Sequence, residues 1–243
     1  MRYLITFAYD GSKYHGYQKQ IHDNSIQEEL ETALTTINGG QSVSINASGR
    51  TDAGVHANNQ CAHFDLDISI STEQLKKALN SLISGNIYVK SVVEVSKDFH
   101  ARFDVKQKEY IYKINLGEYN PIEKDYVYQY NKSLDVNSMK SAIKLFEGIH
   151  NFKSFTKANV ETYDFVRTIY FTDITVKDNI MFITFIGTGF MRYMVRNMVG
   201  FLIEIGEGKR NILDVNSVLL EEDRTKAGKT APAEGLYLNK VIY

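Results

Sequence analysis

The stretch from Ser48 to Ala57 holds the residues in this sequence that are best suited to chemistry. It reads Ser-Gly-Arg-Thr-Asp-Ala-Gly-Val-His-Ala, so that glycines flank Asp52 while Arg50 and His56 share its loop. Glycine lets the backbone bend sharply and lets another molecule approach closely. A carboxylate beside cations stays ionised at neutral pH and can act as a nucleophile or a base. The alternative, an aspartate that only caps a turn, is equally compatible with the chemistry alone.

A further cation, Arg196, lies in an apolar segment that is predicted to be helical. Between Met191 and Ile205 the apolar residues recur every three or four positions, which is typical of one helix face. Arg192 and Arg196 are four residues apart and are predicted to share an adjoining face. An arginine in such an apolar segment needs a carboxylate partner or an anionic ligand. The alternative is a solvated arginine on a surface face.

Two tyrosines of one predicted strand form a third candidate group. Tyr110 and Tyr112 alternate within the segment from Ala101 to Leu116, so both rings point to one face. Aromatic rings beside cations suit contacts with bases and phosphates. If the strand has no bulge, the cations on the same face are Arg102, Lys106 and Lys108. The alternative is ordinary sheet packing for the two rings and solvation for the two lysines.

The elements that must position these residues follow a pattern that occurs twice. Each half can be interpreted as strand, helix, strand, strand, helix and strand, which predicts an α+β protein with two ferredoxin-like (split βαβ) halves. The predicted halves are residues 1–98, with the Asp52 loop, and 99–243, with Tyr110 and Arg196. Predicted in the first half are strands 2–9, 43–47, 60–66 and 87–95, and helices capped by Ser25 and by Ser71 or Thr72. In the second half we predict a strand over 101–116, a helix capped by Asp135, and a hairpin of strands 166–176 and 180–188 that turns at Asp178-Asn179. Two helices over 191–205 and 213–220 and a last strand over 236–242 follow.

Composition and charge narrow the class of protein. Hydrophobic residues make up 43% and charged residues 23%, which excludes a disordered tail and a coiled coil. The net charge is -1, so a nucleic-acid-binding face would need its cations gathered on one side. Cys61 is the single cysteine, and the histidines show no ligand spacing, so we expect neither a disulfide nor a metal site. No stretch approaches the roughly 20 apolar residues that span a bilayer, and the first residues do not form a signal peptide, so we expect a soluble cytoplasmic protein.

Five sequence blocks, in order along the chain, resemble the tRNA pseudouridine synthase A family. A single Arg-Thr-Asp would be weak evidence, whereas the ordered set across the whole chain is specific. The blocks are Tyr9-Asp10-Gly11 with Gly16-Tyr17-Gln18, Gly49 to His56, Phe99-His100-Ala101-Arg102-Phe103, Met194 to Gly200, and Ala231 to Leu238.

The resemblance implies a fold, an activity and roles for single residues. It implies the pseudouridine synthase fold, with antiparallel sheets around a central cleft, and a cofactor-free homodimer. Its activity would be conversion of uridine to pseudouridine in the tRNA anticodon arm, at positions 38, 39 and 40. Asp52 would be the nucleophile, Arg196 its partner, and Tyr110 the residue that stacks on the base. Arg50 would hold the flipped nucleotide and Leu236 would lie near the uracil.

Two further residues, Arg102 and His56, are candidates for substrate binding. The chain departs from the family pattern at Tyr17, where tryptophan is common, and in the stretch from Ala158 to Phe165.

One alternative function is a non-catalytic tRNA-binding protein. Another is a nucleoside or glycoside hydrolase that uses Asp52, but such enzymes generally need a second carboxylate or a metal, and the Asp52 loop offers no second acid.

Overall fold

The computed structural model describes residues 1–21, 23–157 and 164–243. His22 and residues 158–163, which belong to the departing stretch from Ala158 to Phe165, lie outside the described residues. The helices are α1 (Ile26–Ile37), α2 (Thr72–Leu82), α3 (Val136–Ile143), α4 (Met194–Gly206) and α5 (Asp214–Glu221). The strands are β1 (Arg2–Tyr9), β2 (Asn46–Ala47), β3 (His56–Asp65), β4 (Ile87–Val95), β5 (Gln107–Asn115), β6 (Tyr128–Gln129), β7 (Gly148–Asn151), β8 (Val166–Lys177), β9 (Ile180–Gly187) and β10 (Leu236–Ile242).

The chain forms two compact units. The first consists of Met1–Lys106 together with Leu238–Tyr243, and the second of Gln107–Tyr237. The division into 1–98 and 99–243 stays a prediction about domains. The units show in addition that most of β10, the last strand, belongs with the N-terminal residues.

The first unit carries the predicted split βαβ order. Strand β1 pairs antiparallel with both β3 and β4, the short β2 pairs with β3, and β10 adjoins β3. The Ser25 side chain accepts a hydrogen bond from the Glu28 N–H, and Ser71 forms a capping box with Gln74, so both helix starts form as predicted. The inward side chains of β1, which include Tyr3, Ile5 and Phe7, are fully buried.

The second unit is built around the order β5-β9-β8-β7. Asp135 caps α3 by accepting from the N–H groups of Asn137 and Ser138, as predicted. The β8–β9 hairpin turns at Asp178 and Asn179, and both have the positive φ angles of a tight hairpin turn. The α+β class is therefore confirmed.

Three predicted elements were too long. The strand predicted over 43–47 is reduced to Asn46–Ala47. The strand predicted over 101–116 begins only at Gln107, because residues 101–104 form a turn in which the N–H groups of Phe103 and Asp104 donate to the His100 carbonyl. Arg102 and Lys106 are therefore off the strand, and the predicted face of cations keeps only Lys108. The helix predicted over 191–205 begins at Met194, after Tyr193 in the left-handed region at φ 65°.

The helices of the described ranges are all too short or too polar to cross a lipid bilayer.

Candidate active site

The Asp52 loop connects β2 to β3 within the first unit. Asp52 itself is half-buried, and its carbonyl accepts a hydrogen bond from the Val55 N–H at 3.2 Å, which closes a turn. Gly54 has φ +79°, a conformation that glycine adopts at low cost. The sequence prediction of a sharp bend around Asp52 is thus confirmed.

Gln60, which was not predicted from the sequence, fixes the first residues of the loop. Gln60 is fully buried in β3, donates to the Gly49 carbonyl at 2.9 Å and accepts from the Ser48 hydroxyl at 2.6 Å. A buried amide is costly unless it is hydrogen-bonded. Its only sequence signal was a polar residue among the apolar positions of a strand.

The segments around Tyr9 and Tyr17 hold the loop at Thr51. The Thr51 and Tyr9 hydroxyls are 2.7 Å apart, and the Thr51 carbonyl accepts from the Tyr17 N–H at 3.1 Å. Tyr9 is buried, and this burial raises the pKa of its hydroxyl above the ordinary value. Thr51 therefore precedes Asp52 with both its side chain and its carbonyl anchored.

His56, predicted as a substrate-binding residue, lies beneath the loop at 2% exposure. The Gly11 N–H donates to its Nδ1 at 3.1 Å, and Asp10 Oδ1 is 3.4 Å from the same nitrogen. These contacts tie the end of the loop to the Asp10-Gly11 segment. Binding of substrate by His56 stays a prediction.

We predict that Gly11→Ala destabilises the first unit and lowers activity. A Cβ at this position would lie 2.0 Å from the Val55 carbonyl oxygen and 3.0 Å from the Val55 nitrogen, so the backbone of the loop must move. Overpacking of this kind costs about 1–3 kcal/mol. Urea denaturation measures the loss, with Gly85→Ala as the control, because a Cβ at Gly85 meets nothing within 4 Å. Equal stability of the two variants would contradict the prediction.

The hydroxyl of Tyr17 is buried and has no hydrogen-bond partner among the described residues. Tyr17 is 2% exposed, and burial raises the pKa of its hydroxyl well above the ordinary value. Leaving a buried polar atom without a partner costs about 1–3 kcal/mol. An apolar ring would therefore suit this site at least as well.

We predict that Tyr17→Phe leaves the free energy of unfolding unchanged or raises it by about 1 kcal/mol. The ring and the backbone bond to Thr51 are kept, while the unpartnered oxygen is removed. Tyr9→Phe is the control and should be destabilising, because it removes the partner of the Thr51 hydroxyl. Urea denaturation of both variants is the measurement. A clear loss of stability in Tyr17→Phe would show that its hydroxyl is bound.

The two candidate arginines of the first unit are exposed. Arg50 lies in the Asp52 loop, two residues before the aspartate. Arg102 lies on the turn that precedes β5, with its guanidinium carbon 5.9 Å from the centre of the Phe103 ring. Both are accessible to a polyanion, and their binding of substrate stays a prediction.

Tyr110 and Tyr112 share the buried face of β5 in the second unit, as their alternation predicted. Tyr110 is 8% exposed and meets the Phe190 ring edge-on, with centroids 5.2 Å apart. Tyr112 is fully buried and donates to the Pro232 carbonyl at 2.7 Å. Tyr112 therefore anchors the segment that leads into β10, while Tyr110 keeps a small exposed part.

Arg196 lies in the first turns of α4 and is half-buried. Its Nε donates to the Ala231 carbonyl at 2.8 Å, and its guanidinium carbon is 5.1 Å from the centre of the Tyr193 ring. Arg192 comes before the helix starts, so the predicted face shared by Arg192 and Arg196 was wrong. The left-handed Tyr193 separates the two arginines.

Leu236 starts β10 at 6% exposure, and its N–H donates to the Ala233 carbonyl at 2.9 Å. Burial raises the pKa of nearby Glu234, and the charge of Arg196 acts in the opposite direction. Gly235 lets this segment approach β5 closely, since a Cβ there would lie 2.7 Å from the Lys113 carbonyl oxygen. Leu236 is therefore fixed by the same segment that contacts Arg196.

No three histidine, cysteine, aspartate or glutamate side chains within residues 1–21, 23–157 and 164–243 come together in a group that could hold a metal ion.

Comparison with known proteins identifies the class. The chain belongs to the tRNA pseudouridine synthase family, whose model matches residues 5–104 and 142–243. These matched ranges contain Asp52 and Arg196, while Tyr110 lies between them.

Relatives match over the whole chain. Proteins named tRNA pseudouridine synthase A from Geobacillus sp. and Listeria monocytogenes are 44% and 42% identical to it, across 98% and 99% of their own lengths. A Bacillus cereus protein named tRNA pseudouridine synthase A 1 is 40% identical, across 98% of its length. All three alignments cover 100% of this chain.

Proposed function

We propose that this protein isomerises uridine to pseudouridine in the anticodon stem-loop of tRNA, at positions 38, 39 and 40. The observation that carries the proposal is the full-length identity of 40–44% with proteins named tRNA pseudouridine synthase A. The anchored Asp52 loop supports it, because a carboxylate with a fixed backbone can be presented to a sugar or a base.

The reaction is a rearrangement that needs no net oxidation. The bond from ribose C1′ to N1 of uracil breaks, the base turns, and C1′ forms a bond to C5. The proton on C5 is released and N1 gains a proton, so atoms and electrons balance. Release of the C5 proton provides a direct assay.

We assign Asp52 as the catalytic carboxylate. Three first steps are open to it: attack at C1′, attack at C6, or removal of the 2′ proton. Arg196 would pair with Asp52, because a fixed positive charge favours the ionised carboxylate. Tyr110 would stack on the uracil and help to remove the C5 proton.

The remaining candidates would bind the flipped nucleotide. A base must leave its stack before a side chain can reach its sugar, at a cost of a few kcal/mol, and this cost is lower near a loop. Arg50, His56 and Arg102 would contact the nucleotide and its phosphates, and Leu236 would lie near the uracil. We further propose that the protein is a homodimer in the cytoplasm and needs neither a cofactor nor a metal, and light scattering tests the dimer.

The test is tritium release from tRNA labelled at C5 of uridine, with the modified positions mapped afterwards. We expect release from wild type, and none from tRNA in which cytidine replaces uridine at the three positions. Binding without release would favour a non-catalytic tRNA-binding protein, and free uracil among the products would favour a hydrolase. Binding should weaken with salt, because contacts to phosphates release counterions, and a slope near zero would count against an RNA substrate.

A further inference from the structure

The segment from Gly228 to Gly235, here called the strap, lies on α4 and reaches Arg196. Ala231 and Arg196 bond in both directions: the Ala231 N–H donates to the Arg196 carbonyl at 3.0 Å, and Arg196 Nε donates to the Ala231 carbonyl at 2.8 Å. The strap approaches α4 so closely that a Cβ on Gly200 would lie 1.8 Å from the Lys229 carbonyl oxygen. The position of the Arg196 side chain therefore depends on the position of the strap.

Arg224 binds the strap to α4 through its guanidinium. Its Nη1 donates to the Gly228 carbonyl at 2.9 Å, and its Nη2 is 2.9 Å from both the Thr230 hydroxyl and Asn197 Oδ1. The Thr230 hydroxyl in turn donates to Asn197 Oδ1 at 2.7 Å. One planar group thus reaches two points of the strap and one point of the helix.

Asn197 connects this network to the rest of the second unit. It is fully buried next to Arg196 in the sequence, and its Nδ2 donates to the Phe155 carbonyl at 2.6 Å. Its Nδ2 is held by the Phe155 carbonyl while its Oδ1 accepts from Arg224 and Thr230, so Asn197 is a rigid anchor for both. A guanidinium has several donors in a fixed plane, and an ammonium cannot reproduce that geometry.

We infer that Arg224 is a positioning residue: by binding the strap to Asn197 it sets the place of the Ala231 carbonyl, and through it the place of the Arg196 guanidinium. The inference rests on the proposed function insofar as Arg196 acts there. Arg224 acts through Arg196 and does not itself need to reach the substrate. Misplacement of a catalytic group by about 1 Å can cost about 10²-fold in rate.

The first test is the turnover of Arg224→Gln, Arg224→Lys and Thr230→Val, with Thr230→Ser as the matched control that keeps the hydroxyl. We expect Arg224→Gln and Thr230→Val to lower kcat by about 10–100-fold with KM within a few-fold. Arg224→Lys should stay impaired, whereas Thr230→Ser should stay near wild type. Loss of stability with normal kcat in the folded protein would overturn the inference.

The second test is a double variant. If Arg224 acts through Arg196, Arg224→Gln should lower kcat no further in an Arg196→Ala background. If the losses in kcat of the two single variants multiply in the double variant, the inference is overturned and the proposed function still stands. A fully active Arg196→Ala would overturn both the role of Arg196 and the positioning.

The third measurement does not depend on turnover. Solvent exchange of the Arg196 Nε–H, followed by NMR and assigned with Arg196→Lys, should speed up at least tenfold in Arg224→Gln, because the bond to Ala231 loosens. An unchanged exchange rate would overturn the inference even if the wild type converted no uridine. Inactive wild type with faster exchange in Arg224→Gln would overturn the proposed function and keep the positioning.

Discussion

Asp52→Asn should abolish tritium release from uridine-labelled tRNA, with a loss of about 10⁴-fold or more in kcat. Asparagine keeps the size of the side chain and its place in the turn, but it is neither a nucleophile nor a base at neutral pH. Affinity for tRNA should stay within a few-fold, because contacts to phosphates supply most of it. Single-turnover tritium release and filter binding are the two measurements.

Asp67→Asn is the matched control for this variant. Asp67 lies in the same unit and is exposed, and its backbone N–H donates a hydrogen bond to Asn38 Oδ1. We expect full activity from it at the same ionic strength. Tritium release by Asp52→Asn at more than a few per cent of the wild-type rate would remove Asp52 from the chemistry. Loss of tRNA binding along with the rate would instead assign it to the fold of the loop.

The elements predicted correctly are those whose cause is local in sequence. Ser25 and Asp135 accept bonds from N–H groups two or three residues ahead, and Asp178-Asn179 adopts the backbone angles that its turn needs. The strand from Arg2 to Tyr9 has the predicted bounds because its apolar and polar residues alternate. Helix caps, hairpin turns and alternating strands therefore follow from single-sequence reasoning.

The wrongly predicted start of β5 depends on residues far along the chain. The turn at residues 101–104 is held by His63, which accepts from the Ala101 N–H, and by Tyr243, which donates to the Ala101 carbonyl. No pattern within residues 101–116 contains this information, so the sequence alone predicts a strand from Ala101. The same limit hid the role of Gln60, whose partners Ser48 and Gly49 lie more than ten residues earlier. It also hid the role of Arg224, whose partner Asn197 lies 27 residues away in α4.

Arg196→Ala should lower kcat by about 10²–10³-fold while tRNA affinity stays within a few-fold. The physical reason is the loss of the fixed positive charge that favours the ionised form of its proposed partner, Asp52. The helix itself should tolerate the change, because alanine is a good helix former and the apolar neighbours Val195 and Met198 stay buried. Arg196→Lys should recover only part of the rate, since it keeps a charge but lacks the Nε that donates to Ala231. Lys140→Ala is the control for Arg196→Ala. It removes an exposed cation from α3 and should leave both rate and affinity unchanged. Rate losses of equal size in the two variants would point to a general charge effect on tRNA binding. Normal turnover in Arg196→Ala would leave Asp52 without its proposed partner.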